Sequence, residues 1–199
     1  MADALLLVDL QVDFCPGGAL EVADGDQVLP VAAALMESHP LVVATQDWHP
    51  ADHRSFASQH AGRTPGEMID LDGLDQVLWP DHCVQGSAGA AFAAGVDADR
   101  FDHVVVKGTD RDVDSYSGFF DNGRRKATGM EQLLRGLDVS SLTVMGLATD
   151  YCVLYTALDA AELGFATTVV ADGCRAVELA AGDGDRALDQ MRSAGITVR

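Results

Sequence analysis

Six short apolar runs, alternating with segments of helical period, predict the outline of the fold. The runs cover residues 4–8, 41–45, 103–107, 142–145, 166–170 and 196–198. Continuous apolar runs of this length are typical of strands buried on both faces. Apolar positions at helical spacing fall in residues 27–38, 130–137, 152–164 and 183–194. Since strands and helices alternate, we predict a parallel sheet covered by helices on both faces.

One long stretch, residues 55–95, lacks a clear hydrophobic period. A segment of this length without regular structure is uncommon in a compact domain, so we expect it to be functional or to contain short helices. Residues 108–128 form a second long polar loop. No linker or internal repeat interrupts the pattern, and we predict a single domain over residues 1–199.

The charge and the composition exclude several classes of protein. With 31 acidic and 13 basic residues, the net charge is -18, which argues against a nucleic acid or an anionic membrane as partner. The four cysteines have no CxxC spacing, so we expect no disulfide framework. No signal peptide or membrane span is recognisable, and we expect a soluble cytoplasmic protein.

The most informative stretch runs from the strand at residues 142–145 into the helix that begins near Cys152. Cys152 is predicted to lie in the first turn of that helix, where unpaired amides and the positive dipole end favour a thiolate. The same amides can hold the oxyanion of a carbonyl addition intermediate. A free cysteine most often packs as a small buried hydrophobe, and this stretch alone leaves that alternative open.

Asp9, Lys107 and Cys152 each follow or end a predicted strand. Because the carboxyl ends of parallel strands line the ligand crevice, these side chains are expected to meet there. An ammonium group lowers the pKa of a neighbouring thiol, and a carboxylate can take and return its proton. Taken singly, Asp9 could be a cap and Lys107 an exposed strand end; taken together, the three residues predict nucleophilic catalysis.

Asp47, His49 and His82 have the composition of a metal site. One carboxylate and two imidazoles leave coordination positions open, as catalytic or substrate-binding zinc, iron or manganese sites do. His53 is a candidate fourth ligand or supporting group, whereas Cys83 is expected to be a buried neighbour. The alternative is that these histidines are ordinary polar residues of loops. The D-x-H motif of Asp47 and His49, together with the WPDHC motif that contains His82, favours a metal site.

At this point the chain resembles a known family. The motifs VDLQVDF, QDWHP, WPDHC, VVVKG and GLATDYC follow one another as in the nicotinamidases of the isochorismatase-like cysteine hydrolases. The resemblance covers nearly the whole chain, and GLATDYC with the metal motif is its specific part. DNGRR at residues 121–125 and the long segment before WPDHC are similar to the bifunctional bacterial nicotinamidase/pyrazinamidase branch.

The resemblance implies a three-layer α/β/α fold around a six-stranded parallel sheet, with a cis peptide bond between Leu147 and Ala148. It implies a catalytic triad of Asp9, Lys107 and Cys152, and an oxyanion hole made by the amides of Ala148 and Cys152. The other implied residues are Asp47, His49 and His82 as metal ligands, and Phe14, Trp79, Tyr116 and Leu147 as substrate-binding residues.

The activity that the resemblance implies is hydrolysis of nicotinamide to nicotinate and ammonia through a Cys152 thioester, with pyrazinamide as a second substrate. It also implies one divalent metal ion, with zinc favoured over iron or manganese. Nicotinamide would be the small-molecule partner, and homo-oligomerisation is left open.

Two alternatives to this activity remain at this stage. A related hydrolase would cleave another small amide or ureido compound, or the vinyl ether of isochorismate, although the metal motif argues against isochorismate. From a different class, a non-catalytic metal or thiol sensor would not need a base, a lysine and a nucleophile at three strand ends.

Overall fold

The computed structural model describes residues 2–199, in which eight strands and four α-helices follow one another along the chain. Their bounds are β1 Ala2–Val8, α1 Val28–Ser38, β2 Val42–Asp47, β3 Met68–Leu71, β4 Leu74–Val77, β5 His103–Lys107, α2 Met130–Gly136, β6 Val139–Leu147, α3 Leu154–Glu162, β7 Ala166–Arg175, α4 Asp183–Ser193 and β8 Thr197–Val198. Within this part of the chain, no helix is long and apolar enough to cross a membrane.

Six of the strands form one parallel sheet in the order β5-β2-β1-β6-β7-β8. From β1 the chain proceeds to β2, toward the β5 edge of the sheet. From β6 it proceeds through β7 to β8, toward the opposite edge. Right-handed crossovers therefore put α1 on one face and α3 and α4 on the other, and both α1 and α3 pack against β7. The predicted six-stranded, three-layer α/β/α fold is confirmed.

The two central strands carry the core and end at the crevice of the sheet. The side chains of β1 from Ala4 to Val8 are completely buried, as expected for a strand covered on both faces. The strand order reverses between β1 and β6, and the carboxyl ends of strands at such a reversal form the ligand crevice. Asp9 follows β1 at this point, and Ala148 follows β6.

Residues 55–95 contain a short 3₁₀ helix, Ala57–Gln59, in line with the expectation of short helices, and also a β-hairpin that was not expected. Strands β3 and β4 pair antiparallel, with Leu71 opposite Leu74. The two residues between them, Asp72 and Gly73, have φ of 55° and 83°, which is the left-handed geometry of a two-residue hairpin turn. The Asp-Gly pair between apolar residues was the sequence signal for this hairpin.

Gly146 lets β6 approach β1 closely beside the crevice. Its φ is 136°, and a Cβ atom there would lie 2.1 Å from the carbonyl oxygen of Val8. We expect Gly146→Ala to lower the free energy of unfolding by about 1–3 kcal/mol, because neither backbone can move away without losing sheet pairing. Urea unfolding measures the change.

Gly136→Ala is the matched control for this prediction. Gly136 ends α2, and a Cβ atom there would have no neighbour within 4 Å. Alanine is favoured over glycine in a helix, so the control should be neutral or slightly stabilising. Equal urea midpoints for Gly146→Ala and the wild type would contradict the steric argument.

Candidate active site

Asp9, Lys107 and Cys152 meet at the carboxyl end of the sheet. The Lys107 Nζ lies 2.9 Å from Asp9 Oδ2 and 3.3 Å from Cys152 Sγ. None of the three residues is more than 8% exposed. The strand ends of β1 and β5 and the turn after β6 therefore bring together the residues that the sequence analysis grouped, while their catalytic roles stay predictions.

Lys107 is a buried ammonium group with two carboxylate partners. Its Nζ also contacts Asp47 Oδ1 at 3.0 Å and donates to the carbonyl oxygen of Ser115 at 2.9 Å. Burial alone would lower the pKa of Lys107, but the carboxylates of Asp47 and Asp9 raise it well above its ordinary value. Lys107 thus stays protonated and provides a fixed positive charge beside the thiol.

The environment of Cys152 differs from the expectation of a lowered thiol pKa. Burial raises the pKa of Cys152 well above its ordinary value; the Lys107 ammonium opposes this effect, and the Asp9 carboxylate adds to it. Burial raises the pKa of Asp9 as well, with Lys107 acting in the opposite direction. Burial thus favours the thiol form of Cys152, and Asp9 is the predicted acceptor of its proton.

The turn that carries Cys152 begins with a cis peptide bond between Leu147 and Ala148, as expected. The residues Thr149–Val153 form a π-helical turn, in which the Val153 amide donates to the Ala148 carbonyl at 3.0 Å. Such turns occur often at functional sites. The Ala148 amide itself donates no backbone hydrogen bond within residues 2–199, so it is available to a ligand.

The expected metal ligands also converge. The Nδ1 atoms of His49 and His82 contact the carbonyl oxygens of Gly108 at 2.9 Å and Pro80 at 2.8 Å. Because a carbonyl oxygen only accepts, each Nδ1 carries the proton and each Nε2 presents a lone pair. These two Nε2 atoms lie 2.8 and 3.3 Å from Asp47 Oδ2. The two Nε2 atoms and the carboxylate oxygen are electron-pair donors, and at these distances from one another they are suited to bind a cation.

A second group of potential ligands shares His49 with the first. It consists of His49, His53 and Asp114, all buried. The Nε2 atoms of both His49 and His53 are buried and have no hydrogen-bond partner, and the two rings lie 4.3 Å apart between centroids. His53 is therefore next to the ligand group of Asp47, His49 and His82, as a fourth ligand or a supporting residue would be.

A small cavity opens beside Cys152 and Lys107. Three of the four expected substrate-binding residues line it, namely Phe14, Trp79 and Tyr116. The Leu147 side chain is completely buried and is not part of the wall, so Leu147 can act there only through its backbone. The sequence analysis did not identify several other lining residues: Leu20, Asp114, Ser115, Tyr151 and Val177.

The β3–β4 hairpin supports the aromatic wall of the cavity. Gln76 on β4 donates from Nε2 to the Tyr116 hydroxyl at 3.1 Å, and the Trp79 indole donates to the same oxygen at 3.2 Å. Tyr151 packs edge-on against Trp79, with ring centroids 4.8 Å apart. Tyr151 precedes Cys152 in the GLATDYC motif, and that position was the signal for its presence in the cavity.

Two residues of the VDLQVDF motif hold the site together from outside the cavity. The Gln11 side-chain amide donates from Nε2 to the Asp47 carbonyl oxygen and accepts at Oε1 from the Asp47 backbone amide, both at 2.8 Å. A neighbouring strand would make the same pair of hydrogen bonds. Asp13 accepts from the amide of Cys83 at 2.7 Å. The loop after β1 is thereby fixed to the two segments that carry the metal-binding group.

The fold and this arrangement define a class of cysteine hydrolase, and comparison with known proteins identifies the family. Residues 3–199 match the isochorismatase domain, and the chain belongs to the isochorismatase family. The nicotinamidase of Escherichia coli (strain K12) is 50% identical over 201 residues, which cover 98% of this chain and 93% of that protein.

Solved structures agree with the family assignment. A nicotinamidase/pyrazinamidase structure from Acinetobacter baumanii superposes with a TM-score of 0.96 at 40% identity, over 99% of this chain and 95% of that one. The pyrazinamidase of Pyrococcus horikoshii in complex with zinc superposes with a TM-score of 0.81 at 36% identity, over 100% of this chain and 99% of that one.

Proposed function

We propose that this protein is a nicotinamidase, which hydrolyses nicotinamide to nicotinate and ammonia and also accepts pyrazinamide. The observation that carries the proposal is the contact of Lys107 with both Asp9 and Cys152, next to a convergent metal-binding group in an aromatic-lined cavity. The 50% identity to the Escherichia coli nicotinamidase supports this substrate class.

Acylation begins with the transfer of the Cys152 proton to Asp9. The S–H bond breaks, an O–H bond forms on the carboxyl group, and the thiolate attacks the carboxamide carbon. The amides of Ala148 and Cys152 would stabilise the oxyanion of the tetrahedral intermediate. The intermediate collapses when the carbon–nitrogen bond breaks and Asp9 returns the proton to the leaving ammonia.

Deacylation uses the same carboxylate. Asp9 takes a proton from water, the resulting hydroxide attacks the thioester carbon, and the carbon–sulfur bond breaks to give nicotinic acid, which releases its proton to solvent as nicotinate. Asp9 then returns its proton to the departing sulfur, and the Cys152 thiol is restored. The Lys107 ammonium, which lies 3.3 Å from the sulfur, stabilises the thiolate each time it forms.

Asp47, His49 and His82 would hold one divalent ion, and their oxygen and nitrogen donors suit zinc, with iron and manganese as alternatives. The ion would supply a Lewis-acid position for the ring nitrogen of nicotinamide. Because Cys152 already provides a nucleophile, the proposed metal role is to hold the substrate rather than to generate hydroxide.

Benzamide tests this anchoring role, because it has the ring and the carboxamide of nicotinamide but lacks the ring nitrogen. We expect the wild type to have a much lower kcat/KM for benzamide than for nicotinamide. In His49→Ala the gap between the two amides should shrink, because the anchor is weakened. Both constants are measured in both proteins, together with metal content and thermal unfolding.

Equal kcat/KM values for the two amides in the wild type would contradict the anchoring role, and an activated metal-bound water would then explain the site better. A gap of unchanged size in a folded His49→Ala variant that has lost its metal would also contradict it.

Ammonia release from nicotinamide, pyrazinamide and a ureido compound tests the proposed activity as a whole. We expect nicotinamide to be turned over, with nicotinate as the other product, and the ureido compound to be left intact. Turnover of the ureido compound alone would support another amidohydrolase of the family instead. Absence of any turnover by metal-loaded, folded protein would contradict an enzymatic role.

A further inference from the structure

Thr45, near the end of β2, holds one oxygen of the Asp9 carboxylate. The Thr45 hydroxyl donates to Asp9 Oδ1 at 2.6 Å and accepts from the Asp9 amide at 3.1 Å. Both residues are completely buried, so water does not compete for these hydrogen bonds. The Thr45 hydroxyl therefore orients both the backbone and the carboxyl group of Asp9.

The other oxygen of Asp9 contacts the lysine that also contacts the nucleophile. Asp9 Oδ2 forms an ion pair with Lys107 Nζ at 2.9 Å. The same Nζ lies 3.3 Å from Cys152 Sγ. The two carboxylate oxygens are thus unequal: Oδ1 is held by a hydroxyl donor, and Oδ2 contacts the ammonium group that it shares with the thiol.

The position of Gly118 beside Thr45 leaves room for the threonine methyl group. A Cβ atom on Gly118 would lie 3.0 Å from that methyl group, so a larger residue there would crowd it. Asp9 is in a left-handed backbone conformation with φ of 49°, and its amide donates to the Thr45 hydroxyl at 3.1 Å. The two hydrogen bonds with Asp9 therefore direct the Thr45 hydroxyl at that residue.

We infer that Thr45 is a positioning residue that makes Asp9 Oδ2 the oxygen that takes and returns the proton. A proton on Oδ1 would make that oxygen a weaker acceptor for the Thr45 hydroxyl, whereas a proton on Oδ2 leaves this hydrogen bond in place. The S–H bond of Cys152 breaks as the O–H bond on Oδ2 forms, and the same proton later goes to the leaving ammonia. This inference rests on the proposed amidase function.

Thr45→Val tests the inference, because valine keeps the shape of threonine and removes the hydroxyl. Thr45 does not line the cavity, so KM for nicotinamide should stay close to that of the wild type. We expect kcat to fall roughly 10- to 100-fold, the usual effect of losing a hydrogen bond to a charged group. Thr45→Ser keeps the hydroxyl and should retain most of the wild-type kcat.

A double-mutant cycle separates positioning from a general structural effect. If Thr45 acts through Asp9, Thr45→Val should cost little further activity in an Asp9→Asn background. Thermal unfolding accompanies each measurement, and Thr45→Ala replaces Thr45→Val if the latter does not fold. A wild-type kcat in the folded Thr45→Val or Thr45→Ala protein would overturn the inference.

Other outcomes distinguish this inference from the proposed function. Equal losses from Thr45→Val in the wild-type and Asp9→Asn backgrounds would overturn the positioning role while leaving the amidase function intact. A failure of Thr45→Ser to restore kcat would overturn it too, because the hydroxyl would then not be the active group. Absence of nicotinamide turnover in the wild type would instead contradict the proposed function itself.

Discussion

Replacement of Cys152 by alanine should abolish ammonia release from nicotinamide and leave the fold intact. Cys152 is the cysteine in contact with Lys107, at 3.3 Å, and it lines the cavity. Removal of the nucleophile from a comparable hydrolase costs on the order of 10⁶-fold in kcat. The small, buried change from cysteine to alanine should cost little stability, which circular dichroism and thermal unfolding can check.

The other cysteines provide matched controls for this prediction. Cys15, Cys83 and Cys174 are buried free thiols, and none of them lines the cavity. Alanine substitutions at these three positions should each retain turnover. Mass spectrometry of protein quenched during turnover should locate the acyl group on Cys152, and an acyl group on another cysteine would overturn the assignment of the nucleophile.

The sequence was sufficient to predict the sheet and the grouping of the site residues. Buried parallel strands have continuous apolar runs, and chain topology brings their carboxyl ends to one edge. Asp9, Lys107 and Cys152 all follow from that rule, because each lies at a strand end or in the turn just beyond one. The cis bond between Leu147 and Ala148, by contrast, was implied by the resemblance alone.

The cavity wall could be predicted only in part, because it depends on contacts between distant segments. Gln76 donates a hydrogen bond to Tyr116, which is 40 positions away in the sequence. No local sequence pattern indicates that contact. The hairpin that carries Gln76 did have a local signal, the Asp-Gly turn. Leu147 was expected to bind the substrate, but it does not line the cavity.

The pKa of Cys152 illustrates a competition whose balance depends on burial, which a sequence does not show. A position near a helix N-terminus favours the thiolate, and the dipole effect is worth about 0.3–1 kcal/mol at exposed sites. Desolvation of a fully buried group shifts its pKa by up to about 3–5 units, which is the larger effect. Burial raises the pKa of Cys152 accordingly, which agrees with the proton transfer to Asp9 in the proposed mechanism.

Replacement of Asp9 by asparagine should slow both halves of the reaction. Asparagine keeps the shape of the side chain but cannot take the proton of Cys152 or of water. General acid–base groups contribute about 10²–10⁴-fold, so we expect a loss of this size in kcat. Steady-state and single-turnover measurements with nicotinamide separate the two halves. Asp159→Asn is a matched control, because Asp159 pairs with Arg124 away from the cavity.

Alkylation of Cys152 reports the effect of this substitution on the thiol pKa, and kcat decides between a base and a structural cap. The Asp9 carboxylate raises the pKa of the thiol, so its removal should lower that pKa and leave more thiolate at neutral pH. Iodoacetamide should then alkylate Cys152 faster in Asp9→Asn than in the wild type, although the variant hydrolyses nicotinamide more slowly. If the loss in kcat is less than about tenfold in a folded variant, Asp9 is a cap for the turn after β1 and not the proton carrier.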